Sequence, residues 1–236
     1  MSIRFAVCMV GHVFDWPVNN DCKNSFLQYV GVHNPDVYID IYDEQTSKPH
    51  NPDPLSERNV RKYTDEELSN MFNEIPNVQY FNREVVNPTW IADKLEKANV
   101  YLRGNDVANN YRTYCLVRKI HQCYHVLKNS GKEYDVIMIT SPGVIYTGPI
   151  DLNIQPDWFY NADVNYPIPQ DIVVMGSPDI IDIFAKRFDV LDIMYRVHTC
   201  MGACVMDRNL LFRYVACLHN LDWKWKSTIP ARYLGC

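Results

Sequence analysis

The sequence predicts one α/β domain over residues 1–236, built as a mostly parallel central sheet flanked by helices. Three observations lead there. Strand-like and helix-like segments alternate in the order βαβ…αβαβ…βα, the pattern of a sheet whose parallel strands are joined by helices. Ile3–Val10 and Tyr134–Thr140 are apolar runs of strand length. The 236 residues, 47% hydrophobic and 22% charged, show no linker or internal repeat and suffice for one core without disulfide or metal.

The elements follow in chain order. Ile3–Val10 ends at Gly11 and reads as a buried first strand. Cys22–His33 carries Phe26, Leu27 and Val30 at helical spacing. Asp36–Tyr42 alternates and is rich in β-formers, a second strand. Pro49, Pro52 and Pro54 punctuate a surface loop. Thr64 followed by Glu67 is a capping box, and its helix over about 65–75 buries Leu68, Met71, Phe72 and Ile75. Val78–Phe81 is a short strand candidate. Val107–Leu127 is the longest helix, with Leu116, Ile120, Cys123, Tyr124 and Leu127 on one stripe, and Asn129–Gly131 stops it. After the strand Tyr134–Thr140, Ile172–Met175 is another. Ser177, Pro178 and Asp179 start a helix that buries Ile180, Phe184, Phe188, Leu191 and Tyr195, with Ser177 as N-cap. The stretch 205–221 predicts a last helix.

Charge and composition remove several functions. The net charge is −5 and no basic run exceeds a pair, so no nucleic-acid partner is expected. No stretch reaches the ~18 apolar residues of a membrane span. The N-terminus meets Gly11, His12 and Asp15 without a cleavage site, which reads as a strand and not a signal peptide. The eight cysteines sit mostly in apolar segments, fitting reduced thiols in a cytoplasmic protein.

In parallel sheets ligands bind beyond the carboxyl ends of the strands. The segments to inspect are therefore Gly11–Trp16, Tyr42–Gln45, Thr140–Thr147 and Met175–Ser177. No GxGxxG, Walker A, GxSxG or CxxC motif occurs. His121 and His125 stand at i, i+4, and His198, Cys200 and Cys204 cluster; both sets have a metal reading and a packing reading, and packing is favoured. Trp223-Lys-Trp225-Lys suits either a stacking platform or an amphipathic edge strand.

Val7–Gly11, Asp36–Asp43, the long helix, Lys132–Met138, Tyr146–Ile150 and Gln170–Ser177 stand in an order that resembles a family of nucleotide-sugar-dependent glycosyltransferases. The family has the GT-A, Rossmann-like fold and occurs in large DNA viruses and bacterial surface-polysaccharide clusters. The resemblance runs from about residue 3 to 195 and implies transfer of a sugar from a nucleotide-diphosphate donor to a glycan or glycoprotein acceptor. For a viral member the acceptor glycan is borne by a capsid protein and the compartment is the host cytoplasm.

A diphosphate leaving group needs positive charge, from Mn²⁺ or Mg²⁺ on carboxylates or from Arg and Lys. The family's Arg-x-Arg-Pro-Asp segment corresponds here to Ile139, Ser141, Pro142 and Gly143, and its N-terminal loop arginine to Phe14. The family carboxylate is replaced by Gly143, so no metal ligand is assigned. The resemblance places Gly11, His12, Ser141 and Gly143 in the donor region. Asp40 and Asp43 would bond ribose hydroxyls or a base edge, with a solvated strand end as the alternative. Arg112 and Lys119 would reach phosphates, with a solvated helix face as the alternative. Asp171 is the candidate general base or acceptor contact, and Asp135 a residue that orients a turn. Three classes follow: an active glycosyltransferase, a catalytically degenerate fold that binds nucleotide-sugar, glycan or protein, and an unrelated α/β nucleotide-binding enzyme.

Overall fold

A computed structural model describes residues 3–12, 20–42, 64–84, 106–162, 173–190 and 225–233. The loop with Pro49, Pro52 and Pro54, the stretch 205–221, Leu191, Tyr195, His198, Cys200 and Cys204 lie outside them.

Strands β1 (Phe5–His12), β2 (Asp36–Tyr42), β3 (Val78–Glu84), β4 (Val136–Thr140), β6 (Phe159–Ala162), β7 (Val174–Gly176) and β8 (Trp225–Ile229) form a seven-stranded sheet in the order β3-β2-β1-β4-β7-β6-β8. Its strands run one way except β7, which is antiparallel to both neighbours. A two-stranded sheet pairs β5 (Val144–Tyr146) with β9 (Ala231–Tyr233). The helices are α1 (Asn20–Tyr29), α2 (Asp65–Asn73), α3 (Asp106–Lys128) and α4 (Pro178–Ala185). The mostly parallel α/β architecture expected from the sequence is thus present.

Parallel strands joined by helices are covered on both faces. Val7 and Met9 of β1 and Ile39 and Ile41 of β2 join Phe26 of α1 and Leu68, Met71 and Phe72 of α2 in one apolar layer. Ala6, Cys8 and Val10 point the other way, into a layer with Ile120, Cys123 and Leu127 of α3 and Ile181 and Phe184 of α4. Alternation along each strand makes both layers from the same residues' neighbours.

Local signals explain the element ends. Thr64 Oγ1 accepts the Glu67 amide at 3.1 Å while Glu67 accepts the Thr64 amide at 2.9 Å, the expected capping box. Gly131, at φ +73°, takes the left-handed position after α3. Ser177 precedes α4 as expected, yet makes no side-chain cap; its hydroxyl donates to the Pro156 carbonyl at 2.6 Å. Asp135, expected to orient a turn, instead accepts the Arg4 backbone amide at 2.7 Å, next to the start of β1. Cys8, Cys22, Cys115 and Cys123 are buried. Among the described residues no helix is long and apolar enough to cross a membrane.

Candidate functional site

The sheet order 3-2-1-4 contains a point where the connections reverse. From β1 the chain moves outward to β2 and β3, then returns across β1 to lay down β4 on the other side. Open parallel sheets hold ligands in a crevice beyond the carboxyl ends of the strands at such a point, which here falls between β1 and β4.

Gly11, in β1, and Ser141, just after β4, adjoin each other at that point. Gly11 has φ +112°, a conformation that a side chain strains. A Cβ there would make ordinary contact, 3.6 Å from Ser141 Oγ and 3.9 Å from Leu116 Cδ1 of α3, so the backbone conformation and not space favours glycine. Ser141 begins a tight turn closed by the Val144 amide on its carbonyl at 3.2 Å. Ser141, Pro142 and Gly143 are buried in this turn, which offers no carboxylate. Its base is fixed by Tyr146, whose hydroxyl donates to Thr140 Oγ1 at 2.7 Å.

Helix α3 walls the crevice, and its register on β2 is regular. Tyr42 donates to the Cys115 carbonyl at 3.5 Å, Lys119 Nζ donates to Asp40 Oδ1 at 2.5 Å, and the Cys123 thiol donates to the Tyr38 carbonyl at 3.5 Å. Four helical residues advance about 6 Å and two strand residues about 6.6 Å. The stripe 115/119/123 therefore stays in step with 42/40/38, running antiparallel to it. The turns of α3 before Cys115 run beyond the level of Tyr42, over the carboxyl edge of the sheet.

A buried ionic cluster lies beneath α3. Lys119 is 0% exposed and Asp40 1%. Lys119 Nζ also pairs with Glu84 Oε2 at 3.0 Å and sits 4.6 Å above the Tyr42 ring. Asn82 Nδ2 donates to Asp40 Oδ1 at 2.9 Å. Arg118 binds Glu84 Oε1 at 2.7 Å and the Tyr42 hydroxyl at 3.3 Å. Among the described residues Asp40 Oδ2 has no hydrogen-bond partner. Burial pushes the Glu84 carboxyl up, but hydrogen bonds from Arg118 and Lys119 outweigh it and hold it below the ordinary carboxylate value. Burial pushes the Tyr42 hydroxyl far up, so it remains a neutral donor.

Neither a protein-family model nor a curated protein matches this chain. Two crystal structures of the glycosyltransferase GlyE from Streptococcus pneumoniae TIGR4 are similar to it. One has a TM-score of 0.46 and 10% identity, covering 94% of this chain and 46% of that one. The apo form has a TM-score of 0.44 and 8% identity, covering 96% and 45%. The chain spans about half the length of the structures it matches.

The residues singled out from sequence divide as follows. Gly11 and Ser141 come together at the carboxyl ends of β1 and β4, and Gly143 lies in the turn that Ser141 begins. His12 ends β1 and Arg112 stands on the early turns of α3, with both side chains outside the described residues. Asp43 and Asp171 lie wholly outside them. The solvated alternatives for Asp40 and Lys119 are corrected: the two are buried against each other, because each lies on the inward stripe of its own element. His121 packs against His125 with tilted rings, centroids 4.4 Å apart, and against Phe188 at 5.1 Å, the packing arrangement. Among the described residues no three His, Cys, Asp or Glu side chains are grouped to hold a metal ion. Sequence reading missed Glu84 and Arg118; the signal was available, since Arg118 neighbours Lys119 and Glu84 continues the alternation from Asn82.

Proposed function

We propose that the chain is a glycosyltransferase that uses a nucleotide-diphosphate sugar as donor. The observation that carries this reading is the reversal of strand order between β1 and β4, with Gly11 at φ +112° near the carboxyl end of β1 and Ser141 beside it. Open parallel sheets hold ligands, nucleotide phosphates among them, beyond the carboxyl ends of the strands at such a point. The sequence resemblance supplies the choice of a sugar donor over other nucleotides, and likewise the glycan or glycoprotein acceptor, the viral capsid or surface-glycan role and the host cytoplasm.

No ligand for a divalent cation is assigned among the described residues of this site. The turn after β4 carries Ser141, Pro142 and Gly143, and no trio of ligands stands elsewhere among those residues. The charge of the departing diphosphate then falls to basic groups, for which Arg112 is the candidate, on turns of α3 that extend past the strand ends. Asp171 is the candidate base that takes the proton of the acceptor hydroxyl.

The same carboxylate-free turn supports a second reading, a fold that binds nucleotide-sugar, glycan or protein without turnover. A thermal-shift panel of nucleoside diphosphates and their sugars, with and without Mn²⁺, separates the readings. Stabilisation by one diphosphate family together with donor hydrolysis or transfer is the expected result. Stabilisation without turnover selects the binding module. No response to any of them removes both. Asp171→Asn is expected to abolish turnover with donor affinity nearly unchanged; unaltered turnover takes Asp171 out of the mechanism.

A further inference from the structure

Resting on the donor reading above, we propose that Glu84 receives the ribose hydroxyls of the donor, so that the site selects ribonucleoside over deoxyribonucleoside diphosphates. The strand register places it. His12, Tyr42 and Glu84 are register partners across β1, β2 and β3, at the carboxyl ends of three adjacent parallel strands. Two interstrand spacings put Glu84 about 10 Å from the end of β1. A nucleoside diphosphate covers that kind of span between its phosphates and its sugar hydroxyls.

Exposure decides between the carboxylates of this region. Asp40 is 1% exposed and its Oδ1 is held by Lys119 and Asn82, so it stays an internal partner. Glu84 is 34% exposed while both of its oxygens are gripped from behind, Oε1 by Arg118 and Oε2 by Lys119. Each carboxylate oxygen keeps a further acceptor site, and two adjacent acceptors match a vicinal diol. Acidic groups near strand ends take ribose hydroxyls in dinucleotide-binding sheets for the same reason.

Stability alone gives this cluster little reason to exist. Two carboxylates and two cations under a helix cost desolvation that mutual attraction barely offsets, and apolar residues of equal volume do as well. A cluster that ends in one rigidly held, solvent-reaching carboxylate has a use that an apolar replacement lacks. Arg118 and Lys119 are then positioning residues, acting through Glu84.

The test uses the whole chain in calorimetric titrations with uridine, guanosine, adenosine and cytidine 5′-diphosphates and their 2′-deoxy counterparts. Wild type is expected to bind at least one ribonucleotide about ten- to hundredfold more tightly than its deoxy form, the range for hydrogen bonds to a charged group. Glu84→Gln is expected to bring that ratio to near one, and Glu84→Asp, which keeps the charge, to an intermediate value, with thermal unfolding confirming that each variant folds. Binding without ribose preference, or a preference that survives Glu84→Gln, overturns the assignment of Glu84 and leaves the donor reading standing. No binding of any diphosphate to wild type overturns the donor reading and this inference with it.

Discussion

The two faces of β2 solve one packing problem with different chemistry. On one face Ile39 and Ile41 meet α1 and α2 in a wholly apolar layer. On the other, Tyr38, Asp40 and Tyr42 meet α3 through a thiol, an ammonium and a peptide carbonyl. The apolar face tolerates small slips, because dispersion is not directional. The polar face fixes α3 on the sheet to within hydrogen-bond distances, because each buried group needs its own partner. Such a face suits the wall of a site, where a helix must stand in one place.

The comparison breaks hardest at Lys119. Lys119→Met leaves the buried Asp40 without a cation and Glu84 with Arg118 alone, and is expected to cost about 3–5 kcal/mol in urea unfolding. Adding Asp40→Leu to that variant is expected to recover much of the loss, since a paired apolar replacement is often neutral. If the single variant loses under about 1 kcal/mol, the cluster is not the fixed element described. On the apolar face Ile39→Val is expected to cost only about 0.5–1.5 kcal/mol. Away from both, Thr64→Ala removes the capping box of α2 and is expected to cost about 1 kcal/mol, read in the same unfolding experiment.

The smallest expected effect is acid sensitivity. Glu84 is held below the ordinary carboxylate value in the folded chain. Its contribution is therefore fully present above the unfolded carboxylate value and is lost as pH falls through the lower folded one. Glu84→Gln is expected to flatten that part of the stability–pH curve. An unchanged curve removes Glu84 from the ionised cluster.

Much of this was legible in the residues, and the rest was hidden for physical reasons. The capping box, the stripe of α3 and the strand Asp36–Tyr42 read directly, because period and local hydrogen bonding determine them. The end of β3 did not: Asn82 and Glu84 are polar, and a strand extends through them only because Asp40, Lys119 and Arg118 satisfy them. β5 and β6 are short pieces, each with a partner remote in sequence, β9 and β8. Lys119 read as solvated because lysine usually is, yet its i, i+4, i+8 spacing with Cys115 and Cys123 already placed it on the inward stripe. The reversed direction of β7 had no local sign, since an apolar tripeptide pairs either way.

The central claim is that the crevice between the carboxyl ends of β1 and β4 takes the donor diphosphate. Hydrogen exchange read by mass spectrometry, with and without the best-binding nucleoside diphosphate, tests it without altering a residue. Slowed exchange is predicted in peptides covering the end of β1 at Gly11, the turn Ser141–Val144 and the adjoining turns of α3. Slowing confined to the apolar groove of Leu68, Phe72 and Phe81 between α2 and β3, or none anywhere despite saturating ligand, would contradict it.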